Sequence, residues 1–118
     1  MDETWFSDYA DELGRCLSDA RACAEACEQL LESLSADDDP RRRRTILDAV
    51  LGPTAVARVL IDLIDQPPEL LLGAARLCAD GCRHAVAELE GLDDSRTAPA
   101  VEALRLCARS CAQLVDAV

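Results

Sequence analysis

The sequence contains no lysine, one histidine, one methionine and only three aromatic residues. The aromatic residues Trp5, Phe6 and Tyr9 all lie close to the N-terminus. The core of the remaining chain must therefore be built from aliphatic side chains, alanine and cysteine. Such a composition favours close-packed helices, because sheets draw on aromatic and β-branched residues. The 118 residues suffice for one domain with a single core.

Positive charge is also scarce. The formal net charge is −11, so the chain would repel phosphate, and nucleic acid is not expected as a partner. The chain begins with acidic residues that no apolar segment follows, and no apolar run is long enough to cross a membrane. We therefore expect a cytoplasmic protein without a membrane partner, in a compartment that keeps thiols reduced.

The sequence shows no arrangement typical of an enzyme site. It has no recognisable nucleophile–base pair, phosphate-binding loop or pair of carboxylates. A thiol oxidoreductase is the remaining enzyme class, but its Cys-x-x-Cys motif at a helix N-terminus, where a thiolate is favoured, is missing. We therefore expect a protein that is not an enzyme.

Apolar residues recur at helical intervals in four segments, which turns rich in proline and aspartate separate. The segments cover residues at about 3–34, 40–65, 67–90 and 97–117. Asp39-Pro40 and Pro67-Pro68 are start signals, since aspartate caps a helix and proline fits its first turn. Four amphipathic helices with short loops predict an all-α fold, an antiparallel up-down-up-down four-helix bundle that spans residues 1–118 as one domain.

The second predicted helix is the one without a cysteine, and we expect it to form a purely apolar wall of the bundle. Gly52-Pro53 lies in its middle and predicts a kink or a short break, because proline lacks the N–H that continues the helical hydrogen bonds. Arg41–Arg44 begin this helix. They predict a solvated charge cluster that pairs with the aspartates at 37–39, and a docking site is the alternative.

All seven cysteines fall on predicted helices, at intervals that return to one helical face. They are Cys16, Cys23, Cys27, Cys78, Cys82, Cys107 and Cys111. Six of them form three Cys-x-x-x-Cys pairs. Because a helical turn holds about 3.6 residues, we expect these thiols to point inward from three helices into one core. Their odd number and the reducing compartment argue against a complete disulfide framework.

A Cys-x-x-x-Cys pair on a helix has the spacing to hold a soft metal ion. Its Cβ atoms are about 5–6 Å apart, so two thiolates are able to close on one ion. Cu(I) suits this best, because it prefers sulfur and accepts two or three ligands. Zn(II) is the alternative metal and would need two converging pairs. Iron–sulfur clusters usually use the tighter Cys-x-x-Cys spacing. All seven cysteines are therefore candidate metal ligands; the alternative is that they are small core residues.

Three segments around these pairs resemble the bacterial copper storage proteins. They are Cys23-Ala24-Glu25-Ala26-Cys27-Glu28, Leu77-Cys78-Ala79-Asp80-Gly81-Cys82 and Leu106-Cys107-Ala108-Arg109-Ser110-Cys111. In that family, thiolates line the inside of a four-helix bundle and hold many Cu(I) ions. The resemblance implies a copper-binding protein that buffers, stores or delivers copper, with a copper donor or acceptor protein as its partner.

The sequence departs from the family pattern at several positions. Family helices often continue as Cys-x-x-x-Cys-x-x-Cys, but the third position here is Leu30, Ala85 or Leu114. The second helix has none of the usual cysteines, and Met1 is the only methionine, so a thioether-lined entrance is missing. We therefore expect a few bound ions and a role in buffering or delivery rather than bulk storage. Loss of metal binding is the alternative.

Features outside the cysteines leave further alternatives open. His84 is turned off the thiol face and is expected on a polar surface. Trp5, Phe6 and Tyr9 are expected either to plug one end of the bundle or to form the contact of a homo-oligomer. Two other functions remain open beside copper binding: a helical interaction protein that binds no metal, and a zinc-stabilised bundle.

Overall fold

The computed structural model describes the backbone of residues 3–117 and the side chains of residues 9–117, and this part of the chain contains helices and no strand. The four α-helices are α1 (Glu3–Glu32), α2 (Pro40–Asp62), α3 (Pro68–Glu90) and α4 (Ala98–Asp116). A short 3-10 helix, Ser95–Thr97, leads into α4. The predicted all-α fold is confirmed.

The four helices form a bundle with four sides. α1 packs against α2, α2 against α3 and α3 against α4, and α4 closes the ring by packing against α1. The molecule is elongated, with extents of 58 × 22 × 17 Å. The four-helix bundle is thus confirmed, while the up-down-up-down order of the helix directions stays a prediction.

Local sequence signals set where α2 and the 3-10 helix begin. The carboxylate of Asp39 accepts a hydrogen bond from the backbone N–H of Arg41 at 3.0 Å, and Pro40 occupies the first turn of α2. Asp94 caps the 3-10 helix in the same way, through the N–H of Arg96 at 3.0 Å. Each cap satisfies a backbone donor that the first helical turn leaves free.

α2 continues through Gly52-Pro53, so a short break is absent there, and the alternative of a kink stays a prediction. Pro53 is buried, and its Cγ would lie only 3.8 Å from a Cβ placed on Gly81 of α3. The hydroxyl of Thr54 donates a hydrogen bond of 2.7 Å to the carbonyl of Val50. Close packing of α2 on α3 therefore offsets the backbone hydrogen bond that proline removes, because tertiary packing outweighs local propensity.

Arg96 joins the loop before α2 to the start of α4. Its guanidinium pairs with Asp94 at 2.8 Å and with Asp38 at 3.1 Å, and it donates to the carbonyl of Ser33 at 3.1 Å. The side chain and the backbone N–H of Arg96 lower the pKa of Asp94 to about 2. The pKa of Asp38 is also lowered, first by the backbone N–H of Ser35 and then by Arg96.

The predicted pairing of Arg41–Arg44 with the aspartates at 37–39 is wrong for the side-chain ion pairs in the described residues. Arg44 pairs at 3.3 Å with Asp48, one turn further along α2. Asp38 is held by Arg96 from the loop before α4. Two residues four positions apart on one helix are already neighbours, so Arg44 pairs with Asp48 and no loop has to be ordered for the pair to form.

Thiols and small aliphatic side chains fill the interior. Buried apolar residues of all four helices form one cluster of leucine, valine, isoleucine, alanine and cysteine. Tyr9 is partly buried and packs against this cluster, whereas the side chains of Trp5 and Phe6 lie outside the described residues. The role of the three aromatic residues therefore stays a prediction. No helix in the described part of the chain is long and apolar enough to cross a membrane.

Candidate metal centre

All seven cysteines lie in the interior of the bundle as free thiols, and none of them has solvent-exposed surface. α1 supplies Cys16, Cys23 and Cys27, α3 supplies Cys78 and Cys82, and α4 supplies Cys107 and Cys111. Each helix therefore turns its cysteines to the same inner face, as the intervals of four and seven residues predict. The thiols form one continuous row inside the bundle.

One group of three thiols joins α3 to α4. The Sγ of Cys107 lies 3.6 Å from the Sγ of Cys78 and 3.9 Å from the Sγ of Cys111. All three sulfur atoms lie within 4.8 Å of one another. This group combines a Cys-x-x-x-Cys pair of α4 with a single thiol of the neighbouring helix.

A second group of three thiols brings in α1. The sulfur atoms of Cys23, Cys82 and Cys107 also lie within 4.8 Å of one another, and each comes from a different helix. Cys107 belongs to both groups. Cys82 further lies 3.9 Å from Cys78, so the two groups are neighbours along the bundle axis.

The two remaining thiols extend the row at its ends. Cys16 of α1 lies 3.4 Å from Cys111, and Cys27 interacts with the side chain of Cys23. The hydrogen bond with Cys23 lowers the pKa of Cys27, while burial opposes this shift. Neither Cys16 nor Cys27 belongs to a group of three, so the structure gathers five of the seven predicted ligands most tightly.

The pKa of Cys107 is shifted in the opposite direction from the pKa values of its neighbours Cys23, Cys82 and Cys111. Hydrogen bonds with Cys111, Cys23, Cys78 and Cys82 lower the pKa of Cys107, although burial opposes the shift. The hydrogen bond with Cys107 is also the largest cause that raises the pKa of Cys111, of Cys82 and of Cys23. The hydrogen bonds among these thiols therefore favour the thiolate form at Cys107 over its neighbours.

α2 contributes a hydroxyl to the row, which the sequence reasoning missed. The side chain of Thr54 interacts with Cys27 and helps to lower the pKa of that thiol. α2 is therefore not a purely apolar wall. The available signal was Thr54 itself, which directly follows Pro53 in a helix whose buried residues are apolar.

Ser110 and Asp19 form a polar contact beside the thiols. The hydroxyl of Ser110, which is buried, donates a hydrogen bond to the carboxylate of Asp19 and so joins α4 to α1. Ser110 directly precedes Cys111, and Asp19 lies one turn after Cys16. The contact therefore fixes the two helices next to the shortest sulfur–sulfur distance in the row.

The sulfur spacings fit a three-coordinate metal site. A metal–thiolate bond of about 2.3 Å places the three sulfur atoms of a planar site about 4 Å apart. The distances of 3.6 and 3.9 Å from Cys107 to Cys78 and Cys111 are close to this value. A tetrahedral site needs four converging ligands, and the side chains of residues 9–117 form no such group beyond the two sets of three.

A family model described as copper storage protein matches residues 9–116. The matched range holds all seven cysteines and more than nine-tenths of the chain. The chain belongs to the copper storage protein family. The resemblance carried by the three cysteine segments is thereby confirmed, and the buried thiol groups are consistent with metal binding in this family. Comparisons with curated proteins and with solved structures gave no significant match.

His84 lies apart from the thiol row. Its side chain is 78% exposed and lies 3.8 Å from the carboxylate of Glu88, one turn further along α3. This agrees with the surface position that the sequence predicts. His84 is therefore not among the residues that the fold brings together with the cysteines.

Proposed function

We propose that the protein binds a small number of Cu(I) ions through its buried thiolates and thereby buffers or delivers copper. The observation that carries this proposal is the pair of three-thiol groups that share Cys107 in the closed interior of a copper storage family bundle. Each group would hold one Cu(I) ion, and Cys107 would bridge the two ions.

The chemistry of the donor set supports Cu(I). Soft thiolate ligands favour Cu(I), Zn(II) and iron–sulfur clusters over hard cations, and metal binding replaces the thiol protons. Zn(II) needs four converging ligands in a structural site. The buried thiols of the described residues converge only in groups of three, which disfavours Zn(II). Burial also keeps water and oxygen away from the bound ion.

The same geometry supports a small capacity. Five thiols belong to the two groups, and Cys16 and Cys27 lie at the ends of the row. Leu30, Ala85 and Leu114 occupy positions where further cysteines would enlarge the site, and all three are buried in the core. Two tightly held ions suit a buffer or a delivery protein better than a bulk store. We place this role in the cytoplasm, with no catalytic function.

Removal of one thiol from each group tests the proposal. The double variant Cys78→Ser/Cys82→Ser leaves each group with two sulfur atoms and should lose most of the copper that the wild type retains against a chromogenic Cu(I) chelator under anaerobic conditions. The matched control is Cys16→Ser/Cys27→Ser, which also loses two thiols but leaves both groups complete. If wild-type protein retains no copper, or if both variants retain the same amount, the proposal is wrong.

A further inference from the structure

A groove with an arginine rim runs along the outer seam between α3 and α4. Its first part has a volume of about 460 Å³, and Val86, Ala108 and Ala112 lie along it together with Arg83, Arg105, Arg109 and Asp116. An adjoining depression of about 370 Å³ shares Arg83, Ala112 and Asp116 and adds Arg76 and Asp80. Four arginines and two aspartates therefore line the combined groove.

The groove is a local concentration of positive charge on an acidic protein. Four of the twelve basic residues line it beside Asp80 and Asp116, so the charges of its lining sum to a positive value although the whole chain carries a net charge of −11. Arg83 pairs with Asp80 at 3.4 Å, and Arg105 pairs with Glu90. Within residues 9–117, Arg76 and Arg109 form no ion pair. Their guanidinium groups are therefore available to an anion from solution.

The groove lies directly outside the helices that supply four of the seven thiols. Three of its alanines are the immediate chain neighbours of cysteines: Ala79 follows Cys78, Ala108 follows Cys107, and Ala112 follows Cys111. Alanine side chains are small, so little side-chain volume lies between the groove and the backbone next to each of these cysteines.

We propose that this groove receives Cu(I) as a complex with a small anionic thiol, a step that rests on the copper binding proposed above. A thiol that carries carboxylates, of which glutathione is an example, would present its carboxylates to the arginines and its aliphatic part to Val86 and the alanines. The arginines would raise the local concentration of the anionic complex that the rest of the acidic surface repels.

The transfer is a ligand exchange without a redox step. A protein thiol attacks the Cu(I) ion of the bound complex, a copper–sulfur bond to the cysteine forms, and the copper–sulfur bond to the carrier breaks. The proton of the cysteine passes to the released carrier thiolate. Copper stays Cu(I) throughout, so neither an oxidant nor a reductant is needed.

The test compares two Cu(I) carriers on matched variants. Copper is supplied to reduced protein as its glutathione complex or as its complex with 2-mercaptoethanol, which has no carboxylate, and transfer is followed by stopped-flow circular dichroism of the Cu(I)–thiolate bands. The groove variant is Arg83→Gln/Arg105→Gln/Arg109→Gln. The control is Arg41→Gln/Arg42→Gln/Arg44→Gln at the start of α2, and both triple variants change the net charge from −11 to −14.

The groove variant should accept copper from glutathione roughly ten-fold more slowly than the control, because electrostatic attraction at the groove is lost. With 2-mercaptoethanol, the two variants should react at the same rate. Equal rates from glutathione, or an equal slowing with both carriers, would overturn the groove assignment. The amount of copper bound at equilibrium is measured separately, and a full amount in the groove variant leaves the proposed function standing whatever the transfer rate.

Discussion

Cys107 on α4 lies 3.6 Å from Cys78 on α3, sulfur to sulfur, so the thiols of these two helices are in contact. Cys107 is also grouped with Cys23 of α1 and Cys82 of α3. One side chain therefore connects three of the four helices through sulfur. A metal ion in either group would add a further link between these helices.

Copper should therefore stabilise the fold. A ligand that binds only the folded state stabilises it by about 2.7 kcal/mol at one hundred times its Kd, so two equivalents of Cu(I) should raise the Tm of the reduced protein by roughly 10 °C or more. Thermal unfolding followed by circular dichroism measures the shift. The Cys78→Ser/Cys82→Ser variant should show little shift, and a zinc chelator should leave the Tm of copper-loaded wild type unchanged. An equal shift in both proteins would contradict the two-group site.

Ser110→Ala should destabilise the protein. The hydroxyl of Ser110 donates to the carboxylate of Asp19 between α4 and α1, and loss of a hydrogen bond to a charged group costs about 1.5–3 kcal/mol. Urea unfolding measures the free energy. Ser18→Ala, at an exposed position of α1, serves as the control and should change stability by less than about 0.5 kcal/mol. If the two variants are equally stable, the Ser110–Asp19 contact has no energetic role.

Asp94 should make stability fall in acid. Arg96 depresses the folded-state pKa of Asp94 from 3.8 to about 2, so the stabilisation is fully present above pH 4 and is lost as the pH falls toward 2. Asp94→Asn should therefore be less stable than wild type at pH 7 and should lose less stability between pH 4 and pH 2. The exposed neighbour Asp93 provides the control variant Asp93→Asn. Parallel pH profiles for Asp94→Asn and wild type, from urea unfolding, would rule out this role.

The positions of the thiols on each helix were predictable because they depend on local geometry. Intervals of four and seven residues fix the face of a helix regardless of its neighbours, and all seven cysteines are buried as that rule predicts. The central position of Cys107 was not predictable. It depends on how α4 is rotated and shifted along its axis relative to α1 and α3. The spacing of residues within one helix carries no information on this arrangement.

The same distinction explains the errors. The missing N–H of Pro53 predicts a kink or a short break, and the short break is absent; the packing of Pro53 against Gly81 of the next helix depends on tertiary structure. Asp38 has arginines a few residues away in sequence, yet it pairs with Arg96 from a different loop. Sequence distance identified Arg41–Arg44 as partners within reach of Asp38. The contact between the loop before α2 and the loop before α4 brings Arg96 to Asp38 instead.

The most direct test of the account is an anaerobic Cu(I) titration of the reduced Cys107→Ser variant against a chromogenic chelator, beside Cys27→Ser as a variant that also lacks one thiol. Cys107 is the thiol common to both groups, and Cys27 belongs to neither. We predict that Cys27→Ser retains two tight equivalents, as wild type does, and that Cys107→Ser loses both. Equal retention of copper by the two variants would contradict a site built around Cys107.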